Sequence, residues 1–123
     1  MTKPKILIVD DDVKLLSLTR VILDKMGSFD TCIEHRSFAA LATAQTFCPD
    51  LILLDVDMPG KDGGDVAAEL GRDPALRSVP VIFLTSLVSA NEAGPRNGVQ
   101  YLSKPVNPQM LLQTVREALK KAA

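Results

Sequence analysis

Residues 51–60 read Leu-Ile-Leu-Leu-Asp-Val-Asp-Met-Pro-Gly, an apolar run that ends on an aspartate and passes into a turn. Four consecutive aliphatic residues predict a strand covered on both faces, as in a parallel sheet. A second run of this kind, Lys5-Ile-Leu-Ile-Val9, ends on Asp10. Both strands therefore deliver a carboxylate, and a parallel sheet would bring the two to the same edge.

A helical pattern follows the first of these strands along the chain. The first helix is predicted from Val13 to Met26, where Gly27 offers a stop. Four apolar residues recur at helical spacing along it: Leu15, Leu18, Ile22 and Met26. Asp12, directly before the helix, is the expected N-cap.

The alternation of strands and helices continues to the end of the chain. Further strands are predicted over 29–34, 80–84 and 99–103, and further helices over 37–47, 65–70 and from 108 onward. Ser37 is the candidate N-cap of the second helix, and Gly71 should break the third. Strands separated by helices predict an α/β fold with a doubly wound, five-stranded parallel sheet. We expect one domain over residues 1–123.

Composition narrows the classes of function. Fourteen basic residues against fifteen acidic ones leave a net charge of −1, with no basic block that would track a nucleic-acid backbone. The aliphatic runs are far shorter than the roughly 20 residues of a membrane span, and the N-terminus lacks a secretory pattern. We therefore expect a cytoplasmic protein. Cys32 and Cys48 lack CxxC spacing and are expected to be reduced.

Polar residues follow four of the predicted strands at the edge where a doubly wound sheet holds its functional crevice. They are Asp10, Asp11, Asp55, Thr85 and Lys104. Clustered carboxylates repel one another and call for a cation, and a set of oxygen donors without histidine or cysteine favours Mg²⁺. A carboxylate beside such an ion can attack a phosphoryl group, with an ammonium and a hydroxyl neutralising the transferred oxygens.

Four motifs in this order resemble those of receiver domains in two-component response regulators. They are Ile8-Val-Asp-Asp11, Leu54-Asp-Val-Asp-Met-Pro-Gly60 with Asp62-Gly63, Phe83-Leu-Thr-Ser86 and Tyr101-Leu-Ser-Lys-Pro105. The resemblance spans nearly the whole chain and implies the flavodoxin-like strand order. It also implies a cis peptide bond between Lys104 and Pro105.

The resemblance further implies a role for each matching residue. Asp55 would be the phosphoacceptor, Asp10, Asp11, Asp55 and the backbone carbonyl of Asp57 would hold Mg²⁺, Lys104 would bind the phosphoryl group, and Thr85 and Tyr101 would be switch residues. The phosphoryl donor would be a sensor histidine kinase or a phosphotransfer protein. The domain would catalyse only its own phosphorylation and dephosphorylation, and an output protein would respond.

The segment between the fourth and fifth predicted strands departs from the family. Gly94, Pro95 and Gly98 disfavour a helix there, so the fourth helix should be truncated to about two turns between Leu87 and Ala93. We expect a short, mobile segment in its place. Relatives that dimerise through this region need its surface intact, so we expect a monomer here.

An alternative from another class remains open at this stage. Asp55-Val-Asp57 after a hydrophobic strand also matches the DxD pattern of Mg-dependent aspartate-nucleophile phosphatases of the haloacid dehalogenase type. Those enzymes carry DxD near the N-terminus and a larger core with a cap, whereas here the acidic pair comes first in a short chain. The order of the motifs and the length of the chain therefore favour a receiver domain over a phosphatase.

Overall fold

The computed structural model describes residues 3–86, 94–96 and 99–122. Its strands are β1 (Lys5–Val9), β2 (Asp30–Glu34), β3 (Leu51–Asp55), β4 (Val81–Thr85), β5 (Gly94–Arg96) and β6 (Val99–Ser103). Its helices are α1 (Val13–Met26), α2 (Ala40–Phe47), α3 (Gly63–Arg72) and α4 (Pro108–Ala122), with a 3₁₀ turn at Ser37–Ala39. Within these residues, no helix is both long and apolar enough to cross a membrane.

The strands form one sheet in the order β2-β1-β3-β4-β6-β5. Five of them are parallel, and their order is the flavodoxin-like one. Two apolar cores cover the two faces of the sheet, one including residues of α1 and α4 and the other residues of α2 and α3. The predicted doubly wound α/β fold is confirmed.

The sheet also has a sixth strand that the sequence did not predict. β5 pairs antiparallel with β6, with Pro95 opposite Gln100. Proline is tolerated there because β5 lies at the sheet edge, where one side of the strand needs no ladder partner. The sequence had indicated only that Gly94 and Pro95 disfavour a helix, and it did not indicate a strand here. The truncated fourth helix predicted over Leu87–Ala93 lies outside the described residues.

Helix α1 has the predicted bounds but buries a different set of side chains. Leu16, Thr19, Ile22 and Leu23 are buried, whereas Leu18 and Met26 are both 56% exposed. The helix has more apolar residues than one face can hold, so spacing alone could not identify the buried face. Packing against the sheet decides it, because Leu16 and Leu23 join the core that contains β1.

Helix ends follow local capping chemistry in most cases. Asp12 caps α1 as predicted, since its side chain accepts hydrogen bonds from the amides of Lys14 and Leu15. Ser37 is not a cap, because a 3₁₀ turn precedes α2 and takes up Ser37 itself. Helix α3 is longer than predicted. It starts after Asp62, which forms a capping box with Asp65, and it continues through Gly71.

Gly63 lets the first turn of α3 lie directly on the end of β3. A Cβ atom at this position would clash with the backbone oxygen of Asp55 and would lie 2.9 Å from Cα of Val56. The Gly63 amide donates to the Val56 carbonyl at 3.0 Å, which holds the helix at this distance. Both obstacles are backbone atoms, so a side chain here cannot be accommodated by a rotamer change.

We therefore expect Gly63→Ala to lower the free energy of unfolding by about 3 kcal/mol, as an overpacked core does. Gly71→Ala in the same helix is the matched control, because, apart from its chain neighbours and the backbone of its own helix, no atom of the described residues lies within 4 Å of its added Cβ. That control should raise the free energy of unfolding by about 0.5–1 kcal/mol. Urea denaturation measures both. Equal effects of the two substitutions would contradict the proposed contact.

Candidate functional site

The C-terminal ends of three strands bring charged side chains together. Asp10 directly follows β1, Asp55 is the last residue of β3, and Lys104 directly follows β6. Both aspartates are buried, with 0% and 1% of their surfaces exposed. Buried carboxylates need charged or hydrogen-bonding partners, and the third residue of this group provides one.

Lys104 contacts both buried carboxylates. Its Nζ donates a hydrogen bond to Oδ1 of Asp55 at 2.9 Å and lies 3.2 Å from Oδ2 of Asp10. Its backbone amide donates to the carbonyl oxygen of Thr85 at 2.9 Å, which fixes the start of the loop beyond β6. The Lys104–Pro105 peptide bond is cis, as the resemblance implied.

Asp11 completes an acidic cluster with Asp10 and Asp55. One carboxylate oxygen from each of the three residues lies within 4.8 Å of the others. Asp10 and Asp55 are buried, whereas Asp11 is exposed. The cluster is therefore open to solvent on the side of Asp11.

Asp57 lies at the rim of the cluster. Its backbone amide donates to Oδ1 of Asp55 at 3.2 Å, and its own side chain is exposed. Oδ1 of Asp55 thus accepts two hydrogen bonds, one from this amide and one from Lys104.

The two predicted switch residues lie on neighbouring strands. Thr85 is the last residue of β4, is 3% exposed and pairs with Ser103 of β6. Tyr101 pairs with Phe83, two residues earlier on these strands, and the two rings stack with centroids 5.6 Å apart. Thr85 therefore lies at the same sheet edge as the acidic cluster. Tyr101 lies two residues before the end of β6 and is therefore further from the cluster.

The charges in the cluster shift the pKa values of its members. Burial raises the pKa of Asp55, the charge of Asp10 raises it further, and the hydrogen bond from Lys104 opposes both. The pKa of Asp11 is also raised, by burial first and then by Asp55. Burial alone would lower the pKa of Lys104, but its hydrogen bond to Asp55 and the two nearby carboxylates outweigh burial and raise it. One ammonium therefore leaves excess negative charge in the cluster.

The residues of the cluster fit a hard divalent cation. Oδ2 of Asp10 is buried and accepts no hydrogen bond from the residues that the structure describes, although the Lys104 ammonium is close. An unsatisfied buried carboxylate oxygen is costly unless a cation completes its shell. All candidate ligands are oxygens, which suit small hard ions.

Sequence reasoning missed three contributions to the site. The carbonyl of Glu34 accepts the backbone amide of Asp10 at 3.1 Å, Asp62 caps α3 beside the cluster, and Gly63 allows that helix to approach Asp55. The capping box could have been found from Asp62 and Asp65 three residues apart. The other two depend on contacts between separate elements, which local sequence patterns do not show.

Fold and site together define a doubly wound α/β domain whose crevice holds three carboxylates and one lysine. The chain belongs to the family of response regulator receiver domains, which it matches over residues 6–116. Membership of this family places the domain in phosphorylation-dependent signalling rather than metabolic catalysis, and the family match does not support the phosphatase alternative.

Three individual proteins illustrate the similarity of the chain to this family. The chain is 34% identical over 122 residues to the DNA-binding response regulator MtrA of Mycolicibacterium paratuberculosis, covering 97% of this chain and 52% of the relative. It is 26% identical to a sensor protein from Polaromonas sp. JS666, with a TM-score of 0.85 and 98% of each chain covered. It is 27% identical to the chemotaxis protein CheY4 of Vibrio cholerae, with a TM-score of 0.83, covering 95% of this chain and 99% of that one.

The chain thus spans about half the length of the curated regulators it matches. The relatives include a DNA-binding regulator, a sensor protein and a chemotaxis protein. Family membership therefore defines the signalling class of the domain but not its output.

Proposed function

We propose that the domain, taken as residues 1–123, accepts a phosphoryl group on Asp55 in a reaction that requires Mg²⁺. The observation that carries this proposal is the contact of one ammonium, Lys104 Nζ, with Asp55 at 2.9 Å and Asp10 at 3.2 Å beside the carboxylate of Asp11. Asp55 would supply the nucleophile, the three carboxylates the cation site and Lys104 a fixed positive charge, which are the groups that phosphoryl transfer uses.

In this reaction an oxygen of Asp55 attacks the phosphorus of a phosphohistidine, and the bond from phosphorus to the histidine nitrogen breaks. Oδ1 of Asp55 already accepts from Lys104 and from the Asp57 amide, so Oδ2 is the expected attacking oxygen. The Lys104 ammonium then neutralises an oxygen of the transferred group, and the Thr85 hydroxyl is the proposed second donor.

The cation would be held by Asp10, Asp11, Asp55 and the backbone carbonyl of Asp57. When bound, Mg²⁺ would neutralise both the excess carboxylate charge and the oxygens of the phosphoryl group. The chain's own contribution is to hold the carboxylates in place before the donor arrives.

The proposed donor is a sensor histidine kinase or a phosphotransfer protein, and the domain would act in the cytoplasm without catalysing further reactions. Phosphorylation would shift a two-state equilibrium, in which Thr85 and Tyr101 change position and an output protein recognises the result. We expect the domain itself to be a monomer that binds neither nucleic acid nor a membrane directly.

The proposal is tested by incubating the protein with acetyl phosphate and following its intact mass. We expect one phosphoryl adduct in millimolar Mg²⁺ and less than about 1% of that amount in excess EDTA, because the carboxylates then repel the incoming group. Formation of the adduct at the same rate in EDTA would refute the requirement for Mg²⁺.

A further inference from the structure

Glu34 is a buried carboxylate outside the cluster, and several groups hold it. It ends β2 and is 6% exposed. The backbone amide and Nε of Arg36 donate to its Oε2 at 3.0 and 3.1 Å, and the Thr43 hydroxyl donates to its Oε1 at 2.7 Å. These bonds connect the end of β2 to the loop that follows it and to helix α2.

The backbone of the same residue supports the acidic cluster. The carbonyl of Glu34 accepts the amide of Asp10 at 3.1 Å, which is the last contact between β1 and β2 before the crevice. β2 lies at the edge of the sheet and has β1 as its neighbour. The end of an edge strand is held by one ladder alone and opens more readily than a central strand.

We propose that Glu34 is a positioning residue for the cation site, because its side chain fixes the end of β2 and its carbonyl then holds Asp10. This inference rests on the proposed function, in which Asp10 is a cation ligand. Without the carboxylate, the bonds from Arg36 and Thr43 are lost and the end of β2 can separate from β1. Asp10 would then lose the acceptor of its amide and its fixed position.

The charge of Glu34 is consistent with this role. Burial by itself would raise its pKa, but hydrogen bonds from Arg36 and Thr43 outweigh burial and lower it. The Glu34 side chain is therefore ionised at neutral pH, and both of its oxygens accept hydrogen bonds.

The test is a titration of the full chain with Mg²⁺, followed by NMR of the backbone amides. We expect Glu34→Ala to raise the dissociation constant for Mg²⁺ about tenfold, the lower range for the loss of a residue that supports a metal ligand. Thr43→Val should raise it about threefold, because it removes one hydrogen bond and leaves Arg36 in place. Glu34→Gln should remain within about twofold of wild type, since its amide oxygen still accepts from Arg36.

The phosphorylation rates of the same variants show whether Glu34 acts through Mg²⁺ binding or supports activity in general. With acetyl phosphate, Glu34→Ala should be about tenfold slower than wild type in limiting Mg²⁺ and nearly normal in saturating Mg²⁺. Asp73→Ala is the matched control. Its carboxylate also accepts two hydrogen bonds, from Gln45 Nε2 and the Ala75 amide, but it lies at the end of α3 remote from the cluster.

The outcomes distinguish this inference from the function on which it rests. If wild type neither binds Mg²⁺ nor forms the adduct, the proposed function fails and this inference fails with it. If wild type does both but Glu34→Ala and Thr43→Val bind Mg²⁺ like wild type, only the positioning role is overturned. The same holds if Asp73→Ala weakens binding as much as Glu34→Ala. If Glu34→Ala does not fold, the Mg²⁺ affinity of Thr43→Val tests the positioning role instead.

Discussion

Replacement of Asp55 by asparagine is expected to abolish phosphorylation, leaving less than about 1% of the wild-type adduct, because an amide oxygen is a poor nucleophile towards phosphorus. The substitution preserves shape, and its Oδ1 can still accept from Lys104 and from the Asp57 amide. Intact mass after incubation with acetyl phosphate and Mg²⁺ measures the effect.

Asp57→Asn is the matched control for this experiment. Asp57 is the nearest acidic side chain along the chain, but it is exposed and contributes its backbone amide to Oδ1 of Asp55. We expect this variant to form the adduct, at a changed rate. An adduct that persists in Asp55→Asn but disappears in Asp57→Asn would show that the phosphoacceptor is misassigned.

Asp55→Asn should also be more stable than wild type in EDTA at neutral pH. The pKa of Asp55 is raised from 3.8 in the folded state, mainly by burial, so the folded state binds a proton more tightly than the unfolded state does. Wild type therefore loses stability as the pH rises from 3.8 through the raised pKa. Asparagine removes this loss, and the difference in melting temperature between the two proteins should grow with pH.

Replacement of Lys104 by alanine is expected to slow phosphorylation about 100-fold, the typical cost of losing one preorganised donor to developing negative charge. It should also lower the free energy of unfolding by about 1–3 kcal/mol at pH 7 in EDTA, since two buried carboxylates lose their ammonium. This is less than for a fully buried pair because the lysine side chain is 18% exposed.

The destabilisation by Lys104→Ala should depend on pH. Lys104 opposes the effect of burial on Asp55, so its removal raises the pKa of Asp55 further. Protonation of Asp55 removes the unpaired charge, so the loss of stability should be greatest at neutral pH and shrink as the pH falls. A loss that is constant across this range would contradict an electrostatic origin.

Lys120→Ala provides the control for loss of a surface lysine, because Lys120 is exposed in the last turn of α4. It should leave both stability and phosphorylation unchanged. NMR gives a second readout for Lys104→Ala. The fold should persist, but the residual phosphorylated protein should lack the shifts that phosphorylation induces at Thr85 and Tyr101 in wild type.

Local sequence was sufficient to predict most elements and the residues of the acidic cluster. Apolar runs such as Leu51–Leu54 are typical of strands covered on both faces, as in a parallel sheet, and β1 and β6 have the predicted bounds. Because parallel strands end at one edge, the residues that follow them had to meet there. Asp10, Asp11, Asp55 and Lys104 could therefore be assigned together before any distance was known.

Tertiary structure decided what depends on packing between distant segments. The buried face of α1 follows from the fit of Leu16 and Leu23 against the sheet, since several faces of that helix are apolar. β5 forms because its backbone pairs with β6, and no local pattern in Gly94–Arg96 indicates that pairing. The close approach of Gly63 to β3 and the support of Asp10 by Glu34 likewise depend on contacts between separate elements. The sequence by itself thus determined which groups reach the crevice, and the packing of α1, α2 and α3 decided how firmly they are held.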